Sequence, residues 1–128
     1  MINKETKEIL CTDFCNGRKH DFKLLKESGI KLPPNIQLIT DTGYQGIKKI
    51  HKNSYLPKKK SKKNPLSKSD KSRNKFLSSI RISIENVFCK IKTFKILSER
   101  YRNRRKRFSL RFNLIAGIYN YELRQKNA

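Results

Sequence analysis

The chain has 128 residues and carries 32 Lys and Arg against 10 Asp and Glu, a formal net charge of +22. Such a surplus repels itself unless a polyanion stands near, so nucleic acid is the expected partner, with no membrane and no small-molecule substrate. No run of about 18 apolar residues exists to span a membrane, and the opening MINKETKEIL has no charged-then-apolar signal pattern. Cys11, Cys15 and Cys89 form no even disulfide framework, which points to a reducing compartment, the cytoplasm with its nucleoid. Leu, Ile, Val and Phe supply 34 residues, enough for one thin core.

In chain order, residues 7–12 (KEILCT) predict a short strand centred on Ile9, Leu10 and Cys11. Asp21 is placed to cap a short helix through Leu24, Leu25 and Glu27, ended by Ser28 and Gly29. Pro33, Pro34 and Asn35 make a turn. Residues 36–40 (IQLIT) form a brief apolar run bounded by turn residues, as a buried strand does. Residues 46–51 suit a helical turn or two, and 54–57 another short strand, stopped by Pro57. Residues 58–75 hold nine basic residues and one acid, a flexible basic arm or the charged start of a helix. From about Asp70 the spacing predicts a long helix with Leu77, Ile80, Ile84, Val87, Phe88, Ile91 and Phe94 on one face. The basic cluster 100–107 separates it from a last helix bearing Phe108, Phe112, Ile115, Tyr119 and Leu123. The order is α/β, in three segments: 1–57, the arm 58–75, and the C-terminal helices 76–128.

Two acids stand apart from the solvated Glu5, Glu8, Glu27, Glu99 and Glu122. Asp41 follows an apolar strand, where open α/β sheets place their functional groups. Glu85 borders the apolar stripe of the long helix; the plain alternative is a surface pair with Arg81 at i,i+4. Carboxylates so placed can hold Mg²⁺ or Mn²⁺, and two such ions ~3.5–4 Å apart would clamp the attacking and leaving oxygens of a phosphodiester. The DNA contacts expected from charge are Lys58, Lys59, Lys60, Lys62 and Lys63, and Arg102, Arg104, Arg105, Lys106 and Arg107. Tyr44 and Tyr55 could stack on bases or fill a core. His20 and Asp21 could orient a water or phosphate, or merely cap a helix. Cys11, Cys15 and His20, with His51 or Cys89, could be drawn as a zinc site, but the C-x₃-C-x₄-H spacing lacks a second clean ligand pair. Cys89 is expected to pack as a small hydrophobe.

The segments GRKHDFKLL, ITDTGYQG and RISIENVFCKIKTF together resemble the DDE transposases of the IS5-like insertion-sequence group. That family carries G-x-x-H-D, then a strand ending in D-x-G-Y, then a helix with R-x-x-x-E and a Lys seven residues on. Here the matching positions are Gly17, His20, Asp21, Asp41, Gly43, Tyr44, Arg81, Glu85 and Lys92. The closing FNLIAGIYNYEL also resembles the family's last helix. The resemblance implies an RNase H-like fold that cuts and joins DNA with two Mg²⁺ or Mn²⁺ ions. Asp41 and Glu85 would be the second and third acids of its triad, and Arg81 and Lys92 would join the DNA contacts. The family's first acid lies on a strand well upstream of G-x-x-H-D. Sixteen residues precede Gly17, and neither Asp13 nor Asp21 suits that role. The expectation is an incomplete RNase H-like fold lacking its first strands, inactive alone, with strand 7–12 unpaired and strand 36–40 presenting an open edge. The rival expectations are a small basic nucleic-acid-binding protein, or a fragment that pairs with intact transposase and inhibits it.

Overall fold

Helices dominate the computed structural model of the protein, which describes residues 1–15, 17–98 and 107–127. They are α1 (Asp21–Glu27), α2 (Lys68–Ile91), α3 (Lys95–Ser98) and α4 (Phe108–Asn127), and two strands, β1 (Leu38–Ile39) and β2 (Ser54–Tyr55), accompany them. A 3₁₀ turn at Ile47–Lys49 lies between the strands. No helix among the described residues is long and apolar enough to cross a membrane. The chain divides into two units, one of residues 1–14 and 80–128, the other of residues 15–79.

In the unit 15–79, β1 and β2 pair in parallel, Leu38 with Ser54 and Ile39 with Tyr55. A parallel pair needs a crossover of about a dozen residues or more, and residues 40–53 provide it. Gly46 opens its 3₁₀ turn at φ 90°, a backbone conformation costly for any residue with a Cβ. The turn buries Ile47 completely. Buried His51 is satisfied by the Ile36 carbonyl, 2.6 Å from Nε2, and the buried Ser54 hydroxyl donates to the His51 carbonyl at 2.6 Å. Pro57, two residues past the end of β2, has no N–H to extend the ladder.

Helix α1 begins one residue earlier than the sequence suggested. His20, not Asp21, is the N-cap: its Nδ1 accepts the Phe22 N–H at 3.2 Å. Asp21 occupies the first helical position, where its charge still suits the helix dipole. The start of α2 is a reciprocal cap. The Asp70 N–H donates to Ser67 Oγ, and the Ser67 N–H donates to Asp70 Oδ2, both at 3.1 Å. The charged stretch 68–75 is therefore helix.

The unit 1–14 with 80–128 is built around Val87, Ile91, Ile115 and Tyr119, with Ile2, Ile9, Ile96, Leu97, Phe112 and Leu123 packed against them. The expected stripe holds for Ile80, Val87 and Ile91, but Phe88 and Phe94 are exposed, as is Cys89, which does not pack as a core residue. On α4, Ile115, Ala116 and Tyr119 are buried while Leu110, Leu114, Ile118 and Tyr121 are exposed. No strand forms at residues 7–12. One antiparallel bridge joins Ile2 to Ile9, and Lys7 turns the chain at φ 62°. What fixes this segment is Asn120: its Oδ1 accepts the Ile9 N–H and its Nδ2 donates to the Ile9 carbonyl, both at 2.9 Å. A side-chain amide thus supplies the ladder bonds that a neighbouring strand would supply.

Candidate functional site

Asp41 stands just past β1, as expected from its sequence neighbours. The ladder runs on to Thr40, whose N–H donates to the Tyr55 carbonyl at 2.9 Å. The Asp41 carboxylate turns back on its own loop, where Oδ1 accepts the Thr42 N–H at 2.6 Å and the Thr42 hydroxyl at 3.2 Å. The Tyr44 N–H then donates to the Asp41 carbonyl at 3.1 Å, closing the turn. Asp41, Thr42 and Gly43 are exposed. Thr40 Oγ1 beside them is buried without a hydrogen-bond partner among the described residues. A group left so typically costs about 1–3 kcal/mol.

The two motifs GRKHD and DTGY meet in space. A Cβ built on Gly43 would lie 3.5 Å from His20 Cε1 and 3.8 Å from Nε2. Tyr44 and Phe22 meet edge to face, with ring centres 5.7 Å apart, and Lys26 Nζ sits 4.3 Å from the centre of the Phe22 ring. Burial, and then the negative charges of Asp21 and Asp41, push the Tyr44 hydroxyl above its ordinary pKa. Tyr44 is thus a half-buried packing residue between α1 and the Asp41 loop. Among the two roles open to it in the sequence, packing is the one its contacts describe.

Glu85 lies on the solvent side of α2. It meets Arg81 Nε at 3.2 Å, and both side chains are 60% exposed. Such an i,i+4 pair contributes no more than about 0.5 kcal/mol, so Glu85 is not committed to a structural role by it. Carboxylate oxygens suit a hard cation. The described residues nevertheless bring no three His, Cys, Asp or Glu side chains together as a metal site. Asp41 and Glu85 alone do not meet the needs of two cations.

Of the basic residues expected to face DNA, Lys59, Lys60, Lys62, Lys63, Lys92 and Arg107 are exposed. Arg102, Arg104, Arg105 and Lys106 lie outside the described residues. Lys58 differs from its neighbours. Its Nζ donates to Asp70 Oδ2 at 2.7 Å, its N–H donates to Asn74 Oδ1 at 2.9 Å, and its carbonyl accepts from Asn74 Nδ2 at 3.0 Å. The Lys58 ammonium, and then the bonds from Ser67, hold the Asp70 carboxyl down to about 2. Neither Asp70 nor Asn74 was among the expected site residues. The pattern Ser67-x-x-Asp70 was the available signal, since it marks where α2 starts and hence which side chains face back along the arm.

A family model described as DDE superfamily endonuclease matches residues 1–120. A curated protein of Microchaete diplosiphon, "Probable transposase for insertion sequence element IS702", is 51% identical over 126 residues. That match covers 98% of this chain and 46% of the relative, so the chain spans a little under half the relative's length. No solved structure matches. The chain belongs to the DDE superfamily endonuclease family.

Proposed function

We propose that this member of the family serves DNA transposition as the C-terminal part of a DDE catalytic domain of RNase H-like type, in the IS5-like group. The observation that carries the reading is the 51% identity to an insertion-sequence transposase along 98% of the chain. The packing of His20 against Gly43 supports it, because it ties the two upstream motifs into one local structure. In this reading Asp41 and Glu85 are two of three carboxylates that together hold Mg²⁺ or Mn²⁺, and the exposed basic residues carry DNA phosphates. Three carboxylates neutralise two divalent cations far better than two do. The chain by itself is therefore expected neither to cut nor to join DNA. The orphaned Thr40 hydroxyl beside Asp41 supports a strand end that is completed by further groups.

The test is a chimera in which this chain replaces the matching segment of the relative, assayed for excision of an element in cells. Excision is expected, and Asp41→Ala or Glu85→Ala should each lower it about 100-fold or more, since metal ligation is worth several kcal/mol. An active chimera indifferent to both substitutions would overturn the assignment of these residues. Metal-dependent strand transfer by the isolated chain, abolished by Asp41→Ala, would overturn its inactivity alone.

A further inference from the structure

In the unit 15–79 a cleft of about 400 Å³ opens between the 3₁₀ turn, the end of β2 and the first turns of α2. Its charged lining is Lys48, Lys58, Lys59, Asp70 and Arg73, and Leu56 and Pro57 supply its apolar part. Four cations here face one carboxylate. That carboxylate is already engaged: Asp70 Oδ2 accepts from both Lys58 Nζ and the Ser67 N–H. Lys48, Lys59 and Arg73 thus line a concavity that offers them no second carboxylate. The N-terminal turn of α2 adds positive potential to the same place.

Concave walls strengthen the repulsion among like charges, because less water stands between them than on an open face. Cations arranged this way gain most from an anion that all of them reach. Arg73 is also pre-oriented, with its guanidinium 5.8 Å from the centre of the Tyr55 ring; a stacked guanidinium loses less freedom when it binds an oxyanion. A bare inorganic anion would use the cations and leave Leu56 and Pro57 idle. A sugar-phosphate backbone uses both.

We propose that this cleft seats a DNA backbone phosphate on Lys48, Lys59 and Arg73, with a deoxyribose against Leu56 and Pro57. The Lys58–Asp70 pair, clamped by Asn74, is the fixed rim of the seat and not one of its contacts. The seat rests on the DNA reading given above and adds Lys48 and Arg73 to it.

The experiment measures duplex DNA binding at several salt concentrations. It compares wild type, the double variant Lys48→Gln/Arg73→Gln, and the control Lys31→Gln/Lys126→Gln, which removes the same charge elsewhere. Loss of one seated phosphate lowers the slope of log K against log salt by about 0.9, equivalent to about eight-fold in affinity at 0.1 M salt. That loss is expected for the cleft variant, with less than about two-fold for the control. Equal losses in both overturn the seat while leaving DNA binding intact. Absence of duplex binding by wild type overturns the DNA reading itself. A parallel titration uses inorganic phosphate at matched ionic strength. Saturable phosphate binding lost in the variant, with duplex affinity unchanged, assigns the cleft to free phosphate and overturns the DNA seat. Lys48→Gln alone, on an exposed 3₁₀ turn, repeats the comparison should the double variant melt early.

Discussion

The backbone of Gly43 faces the imidazole of His20, with 3.5 Å between a Cβ built at position 43 and His20 Cε1. That spacing is ordinary van der Waals contact, so one methyl group fits and a branched side chain does not. Gly43→Ala should leave the thermal midpoint nearly unchanged. Gly43→Val should cost about 1–3 kcal/mol, the usual penalty of overpacking, and free the His20 cap of α1. Thermal unfolding followed by circular dichroism checks both; equal effects of Ala and Val would remove steric contact as the reason for glycine.

The apolar stripe of α2 makes a second prediction. Ile91 is 2% exposed within the cluster of Val87, Ile115 and Tyr119, whereas Ile82 on the same helix is 58% exposed. Ile91→Ala should cost about 2–5 kcal/mol, and Ile82→Ala no more than about 0.5 kcal/mol. Urea titration of the two variants measures the difference.

Much of this was legible in the sequence where a feature depends on near neighbours. The 3.6-residue period of Ile80, Val87 and Ile91 marks α2 because one helix face repeats locally whatever lies opposite it. The Arg81–Glu85 pair and the place of Asp41 after β1 follow from spacing alone. Residues 7–12 misled for a physical reason. Ile9, Leu10 and Cys11 form an apolar run, but the Ile9 backbone is satisfied by Asn120, 111 residues away, Met1 takes the Leu10 N–H and the Cys11 carbonyl, and Leu10 points outward at 63% exposure. The α1 cap was misplaced by one residue because His20 and Asp21 are both polar and only the φ/ψ geometry separates them. Lys58 read as one more free lysine, since its locks lie 12 and 16 residues further on.

Acid should loosen both units through identifiable carboxylates. In the unit 15–79, Lys58 and Ser67 hold the Asp70 carboxyl at about 2, against an ordinary 3.8. In the other unit, Glu8 is held below its ordinary value, first by its hydrogen bond from Arg124, which donates Nε at 2.5 Å. A carboxyl whose folded pKa is depressed binds fewer protons folded than unfolded. Its stabilisation is therefore complete above the ordinary pKa and fades as pH falls toward the depressed one. For Asp70 the loss should run from about pH 4 down to about pH 2. The melting temperature should fall across this window in wild type and fall less steeply in the Glu8→Gln/Asp70→Asn variant, which starts lower at pH 7. Parallel curves would mean that other groups carry the acid sensitivity.

Salt dependence separates the lysines of residues 58–63 from one another. All five are exposed, but Lys58 alone among them is seen clamped, by Asp70 and Asn74. Each phosphate that a lysine neutralises on a duplex contributes about 0.9 to the slope of log K against log salt. Replacing Lys59, Lys60, Lys62 and Lys63 with Gln should therefore lower that slope by about 3.6, and weaken all duplex sequences alike, since phosphate contacts carry no base readout. Lys58→Gln should behave differently. It leaves Asp70 without its cation, so it should lower the melting temperature and hardly move the slope. A chain at +22 binds DNA to some degree wherever its charges lie, so bare affinity cannot discriminate. The deciding comparison is the slope for the four-Gln variant, for Lys58→Gln, and for four Lys→Gln changes at Lys31, Lys52, Lys90 and Lys126, which lie outside the expected contacts. If the last set moves the slope as much as the first, net charge and not this segment does the binding. If Lys58→Gln lowers it by about 0.9, as one phosphate contact would, the lock on Lys58 gives way to DNA.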